Sequence, residues 1–216
     1  MEDGYKTLRK SGAAELTEKR SKFIAAAAPV SAEAQALSFL ASVRAAHRQA
    51  SHNVYAYALR EDNLQRYSDD GEPQGTAGLP VLDVLSRGGL TDAVIVVTRY
   101  FEGTLLGTGG LVRAYGEAAA RAVAAAGVVV LEVCAVYEVT CAYAEYDRLQ
   151  RLLAELGARV EQSEFTDAVR LQVALRRELG PALAAQVTEL TRGQSTPRLL
   201  CEKYADVARS AAPADS

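Results

Sequence analysis

The 216-residue chain is 49% hydrophobic and 24% charged, with a formal net charge of −3 at pH 7. That balance fits a globular protein of one or two domains and excludes a basic nucleic-acid-binding domain, so any nucleic-acid contact must come from a local patch. No apolar run approaches the ~20 residues of a membrane helix, and three widely spaced cysteines, Cys134, Cys141 and Cys201, suit reduced thiols in a cytoplasm rather than a disulfide framework.

Residues 1–15 are polar and expected to be loosely held, with Tyr5 and Leu8 available for an edge strand. Acids precede bases there and no apolar segment follows, so no secretory signal is expected. Residues 23–28 read as a strand behind the basic cluster Lys19, Arg20 and Lys22. Ser31 is placed to cap a helix running to about residue 48, with Glu33 in its first turn and Leu37, Leu40, Ala41 and Arg44 on one face. Residues 54–59 read as a strand, 60–63 as a turn and 65–67 as a further short strand. His47 and His52 are the chain's two histidines, too few for a zinc site unless carboxylates complete it. Ser51 and His52 are neighbours in an extended segment and so point to opposite faces, which leaves no nucleophile–base pair.

Residues 68–80, SDDGEPQGTAGLP, form a dense loop. Asp69, Asp70 and Glu72 lie close together there without the ligand spacing of an EF-hand. They suit a turn held by side-chain hydrogen bonds, or a divalent-metal or general-base site facing the loop described next. A short helix over 81–86 follows, and Gly88-Gly89 ends it.

Residues 93–98, Ala-Val-Ile-Val-Val-Thr, read as a fully buried strand. From Leu111, apolar residues recur at helical spacing through Ala114, Tyr115, Ala118, Ala119, Ala122, Val123 and Ala126, and Gly127 ends the helix. Between strand and helix, Gly103, Gly107, Gly109 and Gly110 make a glycine-rich loop. Such a junction aims free backbone N–H groups and the positive end of the helix dipole at one place, where an anion can sit. The candidate anion- or phosphate-binding residues are Lys22, Arg99, Gly103, Thr104, Gly107, Thr108, Gly109, Gly110 and Arg113. No Gly-Lys-Ser/Thr follows, so this is not a Walker A loop, and Val112 stands where a dinucleotide fingerprint has its third glycine. The other reading of the same glycines is a sharp turn and close packing of helix on strand.

Residues 128–131 read as a strand closing this first part. A second pattern then begins: a strand over 133–143, and a helix carrying Tyr146, Leu149, Leu152, Leu153 and Leu156, ended by Gly157. Strands follow over 159–165 and 169–175, joined at Thr166-Asp167. A helix carrying Leu183, Val187 and Leu190 stops at Gly193, and a last strand covers 198–204. This βαββαβ order is ferredoxin-like, and the alternation of Val169, Leu171, Val173 and Leu175 suits an antiparallel sheet with helices on one face. The expected chain is α+β, with domains over 1–132 and 133–205 and a flexible tail over 206–216.

Three blocks give the sequence a recognisable likeness: Ser21-Lys22-Phe23-Ile24 through Ala50-Ser51-His52, DDGEPQGTAGLPVL at 69–82, and VVTRYFEGTLLGTGGLVRAYG at 96–116. Over most of residues 17–127 the chain resembles the IMPACT/YigZ (UPF0029) family. The resemblance implies a ribosomal-protein-S5 domain 2-like fold for the first domain. For the second it implies a ferredoxin-like domain of the elongation-factor-G kind. Glu102 stands where the family usually has glycine, and a carboxylate there repels an anion or helps hold a cation.

Eukaryotic members of the family are translational regulators in amino-acid starvation signalling, competing for an activator of an initiation-factor kinase. They carry an extra RWD domain that this chain is expected to lack, so that partner does not transfer. The resemblance therefore implies a cytoplasmic, non-catalytic, translation-linked regulator that binds RNA, the ribosome or another phosphate-bearing partner, without a cofactor or a membrane. The alternative is a nucleotide- or phosphate-binding enzyme. In it, Asp69, Asp70 and Glu72 hold Mg²⁺, the loop N–H groups hold phosphate, and Thr104 and Thr108 add hydroxyl contacts. A protein-interaction adaptor with purely structural loops is the third reading.

Overall fold

The computed structural model describes residues 4–103 and 105–206; Thr104 and the expected tail from residue 207 onward lie outside the described residues. The chain divides into two compact units, Lys6–Val129, and residues 4–5 with the described chain from Val130 on.

β1 (Gly4–Leu8) begins in the second unit and ends in the first, which continues in chain order with β2 (Gly12–Glu18), β3 (Ser21–Pro29), α1 (Glu33–Ala46), β4 (His52–Ala58), β5 (Gln65–Ser68), α2 (Gly78–Gly88), β6 (Ala93–Tyr100) and α3 (Thr108–Ala126). The first unit's antiparallel sheet has the order β2-β3-β6-β4-β5. β6 is central, and its Ala93–Val97 run is apolar because both of its faces are covered. Ala93, Ile95 and Val97 join the core made with α2 and α3, while Val94 and Val96 join a second core with Ala36 and Leu40 of α1. Gly89 (φ 60°) and Gly127 (φ 71°) take the backbone out of α2 and α3, as the sequence led us to expect.

Two expectations for this unit need correction. Residues 12–15 are not loose: they belong to β2, which pairs with β3 from Gly12↔Ala27 to Glu18↔Ser21. The pairing is made by backbone groups under small or exposed side chains, so no apolar alternation announces it. Nor does Ser31 cap α1. Ala32 holds the cap position without a side-chain bond, and Ser31 instead donates from its N–H and its hydroxyl to Gln35 Oε1, at 2.7 and 3.2 Å.

The second unit comprises β7 (Val128–Cys141), α4 (Tyr146–Glu155), β8 (Arg159–Phe165), β9 (Val169–Arg176), α5 (Gly180–Leu190) and β10 (Arg198–Asp206). The βαββαβ order holds, and the strands lie antiparallel as β10-β7-β9-β8, with β1 also beside β7. Leu149 and Leu153 of α4 and Leu183 and Val187 of α5 pack on Val139, Val169, Leu171, Val173 and Leu175. Residues 128–131 and 133–143 are not two strands. β7 runs unbroken through Glu132, whose carboxylate pairs with Arg176 Nε at 2.9 Å. Likewise, β10 extends to Asp206, two residues beyond the expected end of the last strand.

Candidate functional site

A cavity of about 350 Å³ lies at the start of α3, walled by Pro73, Phe101, Leu105, Leu106 and Leu111, with His52, Glu72 and Arg99 among its polar residues and Gly107 and Thr108 at its edge. Apolar walls with a few converging polar groups are the usual make-up of a ligand site. The hollow of about 460 Å³ between α4 and α5 is lined mainly by charged and polar side chains, among them Arg148, Arg151, Glu155 and Glu189.

The polar residues of the first cavity belong to one network. Arg99, 5% exposed on β6, donates from Nη1 to Glu72 Oε1 at 2.7 Å and from Nη2 to Ser21 Oγ at 3.1 Å. Its guanidinium lies 5.1 Å from the Phe101 ring centroid and 5.5 Å from that of Phe23. The same Glu72 oxygen accepts the Tyr115 hydroxyl at 2.7 Å. Burial, and then the bond to Glu72, push the Tyr115 phenol well above its ordinary range. Arg99 Nε carries an N–H that meets no acceptor; among the described residues it is the one buried side-chain nitrogen or oxygen left so.

His52 approaches from β4. Its Nδ1 lies 2.8 Å from the Asp70 carbonyl, and since a carbonyl only accepts, the proton of the neutral ring is on Nδ1. Nε2 is thereby left as the acceptor nitrogen, 3.9 Å from Glu72 Oε1.

The acidic loop is built by its own carboxylates. Asp69 accepts the N–H groups of Gly75 (2.9 Å), Ala77 (3.0 Å) and Gly78 (2.8 Å), which fixes the entry to α2. Asp70, in the left-handed region at φ 46°, pairs with Arg44 at 2.8 Å and accepts the Asn53 N–H at 2.6 Å. Asp69, Asp70 and Glu72 thus serve three different sets of partners, and no metal-holding group of three or more such residues occurs among the described residues.

Of the candidate anion-binding residues, Arg99, Gly107 and Thr108 line the cavity. Lys22 and Arg113 do not; Lys22 pairs with Glu15 at 2.9 Å, and Arg113 is exposed on α3. Arg99 itself is a buried pairing partner rather than an open flank of the loop. Gly103 (φ 88°) and Gly107 (φ 70°) take backbone that favours glycine, whereas a Cβ on Gly110 would sit 3.1 Å from Leu106. Glu102 is exposed and is not a cavity residue. Tyr115, Phe101 and the Leu105-Leu106 pair were not anticipated as site residues. Tyr115 reads as one more core position of α3, but two leucines inside a glycine-rich loop were a usable signal.

Fold and cavity together define a two-unit α+β protein with a ligand-sized pocket in its first unit. The family model described as the Impact N-terminal domain matches residues 19–123, and one described as a domain of unknown function (DUF1949) matches residues 139–194. Over 196 residues the chain is 34% identical to the IMPACT family member YvyE of Bacillus subtilis, covering 90% of each chain. It is 42% identical to an IMPACT family member of Thermus thermophilus over 82% of this chain and 96% of that one. Identity to the IMPACT family member YigZ of Escherichia coli is 35%, over 81% of this chain and 87% of that one. A solved structure described as a hypothetical protein superposes with a TM-score of 0.60 at 30% identity, covering 94% of this chain and 100% of its own. The chain belongs to the IMPACT family.

Proposed function

We propose that the chain is a cytoplasmic, translation-linked regulator that binds RNA, free or on the ribosome, through the pocket at the start of α3. In this reading the first unit is ribosomal-protein-S5 domain 2-like and the second is ferredoxin-like. The strand order β10-β7-β9-β8, with both helices packed on one face, supports the second assignment. The observation that carries the reading is the convergence, on one apolar-walled cavity, of an uncapped helix start and a buried Arg99 N–H without an acceptor. Both groups favour an anionic oxygen.

The position of His52 Nε2 beside the pocket favours, as a second reading, an enzyme acting on a nucleotide. In that case Mg²⁺ would have to draw Asp69, Asp70 or Glu72 away from their present partners.

Thermal unfolding with short RNA, ATP or GTP, each with and without Mg²⁺ at two salt concentrations, separates the two. A ligand at ~100 Kd adds about 2.7 kcal/mol of stability. Stabilisation by RNA that weakens with salt is the expected outcome. With one or two phosphates held, log K falls against log salt with a slope of only about −0.7 to −1.4. Stabilisation by a nucleotide with Mg²⁺ alone would put the enzyme in its place.

A further inference from the structure

We propose that the pocket takes a terminal phosphomonoester with its nucleoside, at the 5′ end of an RNA or as a free nucleoside monophosphate; this rests on the RNA-binding reading above. The first support is Arg99. Two of its nitrogens are committed to Glu72 and Ser21, while Nε–H has no acceptor, at a residue that lines the cavity. A buried guanidinium N–H without an acceptor is rare, and a ligand oxygen in the adjoining cavity is the partner this proposal gives it.

The second support is the start of α3. Gly107 occupies the cap position without a side-chain bond, and the N–H groups of Thr108, Gly109 and Gly110 precede the first helical bond, from Leu111 N–H to the Gly107 carbonyl. Gly109 is not in the left-handed region, and a Cβ there would meet nothing among the described residues within 4 Å. Neither conformation nor internal packing calls for glycine at that position. Its bare backbone lets a phosphate come close to the N–H groups.

Size and charge then choose an end over an internal stretch. About 350 Å³ lies at the small end of ligand sites, enough for one nucleotide and not for a strand. Phe101, 41% exposed, and Leu105, 84% exposed, offer an apolar wall for the sugar and base. Three of the cations in this part of the first unit are already paired: Lys22 with Glu15, Arg44 with Asp70 and Arg99 with Glu72. They provide no rail for successive phosphodiesters, each carrying a single charge. A monoester concentrates about −1.5 to −2 charges and three acceptor oxygens in one group, which suits a cluster of N–H donors.

The test is fluorescence anisotropy with one RNA decamer carrying either a 5′-phosphate or a 5′-hydroxyl, with AMP and inorganic phosphate as competitors. The phosphorylated decamer is expected to bind at least tenfold tighter and to be displaced by AMP at lower concentration than by inorganic phosphate. Gly109→Ala, with its folding checked by circular dichroism, is expected to abolish the tenfold difference between the two decamers. If AMP binds but the two decamers do not differ, the monoester comes from free nucleotide and the site chemistry stands. Equal binding of both decamers with no effect of AMP overturns this proposal and leaves RNA binding intact. Binding of neither decamer, nor of AMP, overturns both.

Discussion

Separating Arg99 from Glu72 is costly. They form an ion pair in which the side chains are 5% and 4% exposed, and removing one partner strands the other in the interior. Arg99→Met is therefore expected to lower unfolding free energy by about 3–5 kcal/mol, measured by urea denaturation. The double variant Arg99→Met/Glu72→Leu should recover a large part of that loss. Two phenols add a dependence on pH. Burial first, and then the bond to Glu33, push Tyr57 up to about 12, and Tyr115 is raised as well. A phenol ionises near 10 in the unfolded chain, so both keep their protons longer when folded. Their contribution is complete below about pH 10 and is lost as pH rises toward and through about 12. Tyr115→Phe should flatten that alkaline decline in a series of melting curves. None of this network was legible beforehand. Glu72 stands 27 residues from Arg99 and 43 from Tyr115, and only the folded sheet and helix bring the three together.

At the scale of elements, the start of α3 contains two glycines with opposite reasons for being there. Gly107 has φ 70° and ψ 164°, a region essentially restricted to glycine, so Gly107→Ala should cost about 1–3 kcal/mol. Gly109 has room and ordinary backbone angles, so Gly109→Ala should raise stability by up to about 1 kcal/mol, since alanine is the better helix former. Differential scanning calorimetry of the two variants would show melting shifts of opposite sign, although both remove a glycine from the same loop. Elements with a strong period were legible: β6 from its β-branched run, α3 and α4 from their apolar stripes, β9 from strict alternation. What stayed hidden depended on partners. β2 owes its order to backbone pairing with β3, and β7 passes through Glu132 because its backbone pairs there with Ala205 of β10. The glycine-rich loop was legible as a helix start, but the role of Arg99 beside it was not.

For the whole molecule, each unit has its own core, so damage to one should be distinguishable from damage to the other. Leu171 is fully buried in the second unit, and Leu171→Ala should cost that unit about 2–5 kcal/mol. Hydrogen exchange read by mass spectrometry should show faster exchange in β9 and its neighbours, with exchange in β6 and α3 unchanged. The sheet of the first unit has a consequence for how the protein is made. β6 lies between β3 and β4 but is synthesised after both. A nascent chain leaving the ribosome therefore carries two hairpins, β2–β3 and β4–β5, whose inner edges have nothing to pair with. At about 5–20 residues per second, several seconds separate the emergence of Ala58 from that of Tyr100. During that interval two strand edges stay open to mispairing, so slowing translation between residues 59 and 100 is expected to raise co-translational aggregation, read as the insoluble fraction of nascent chains.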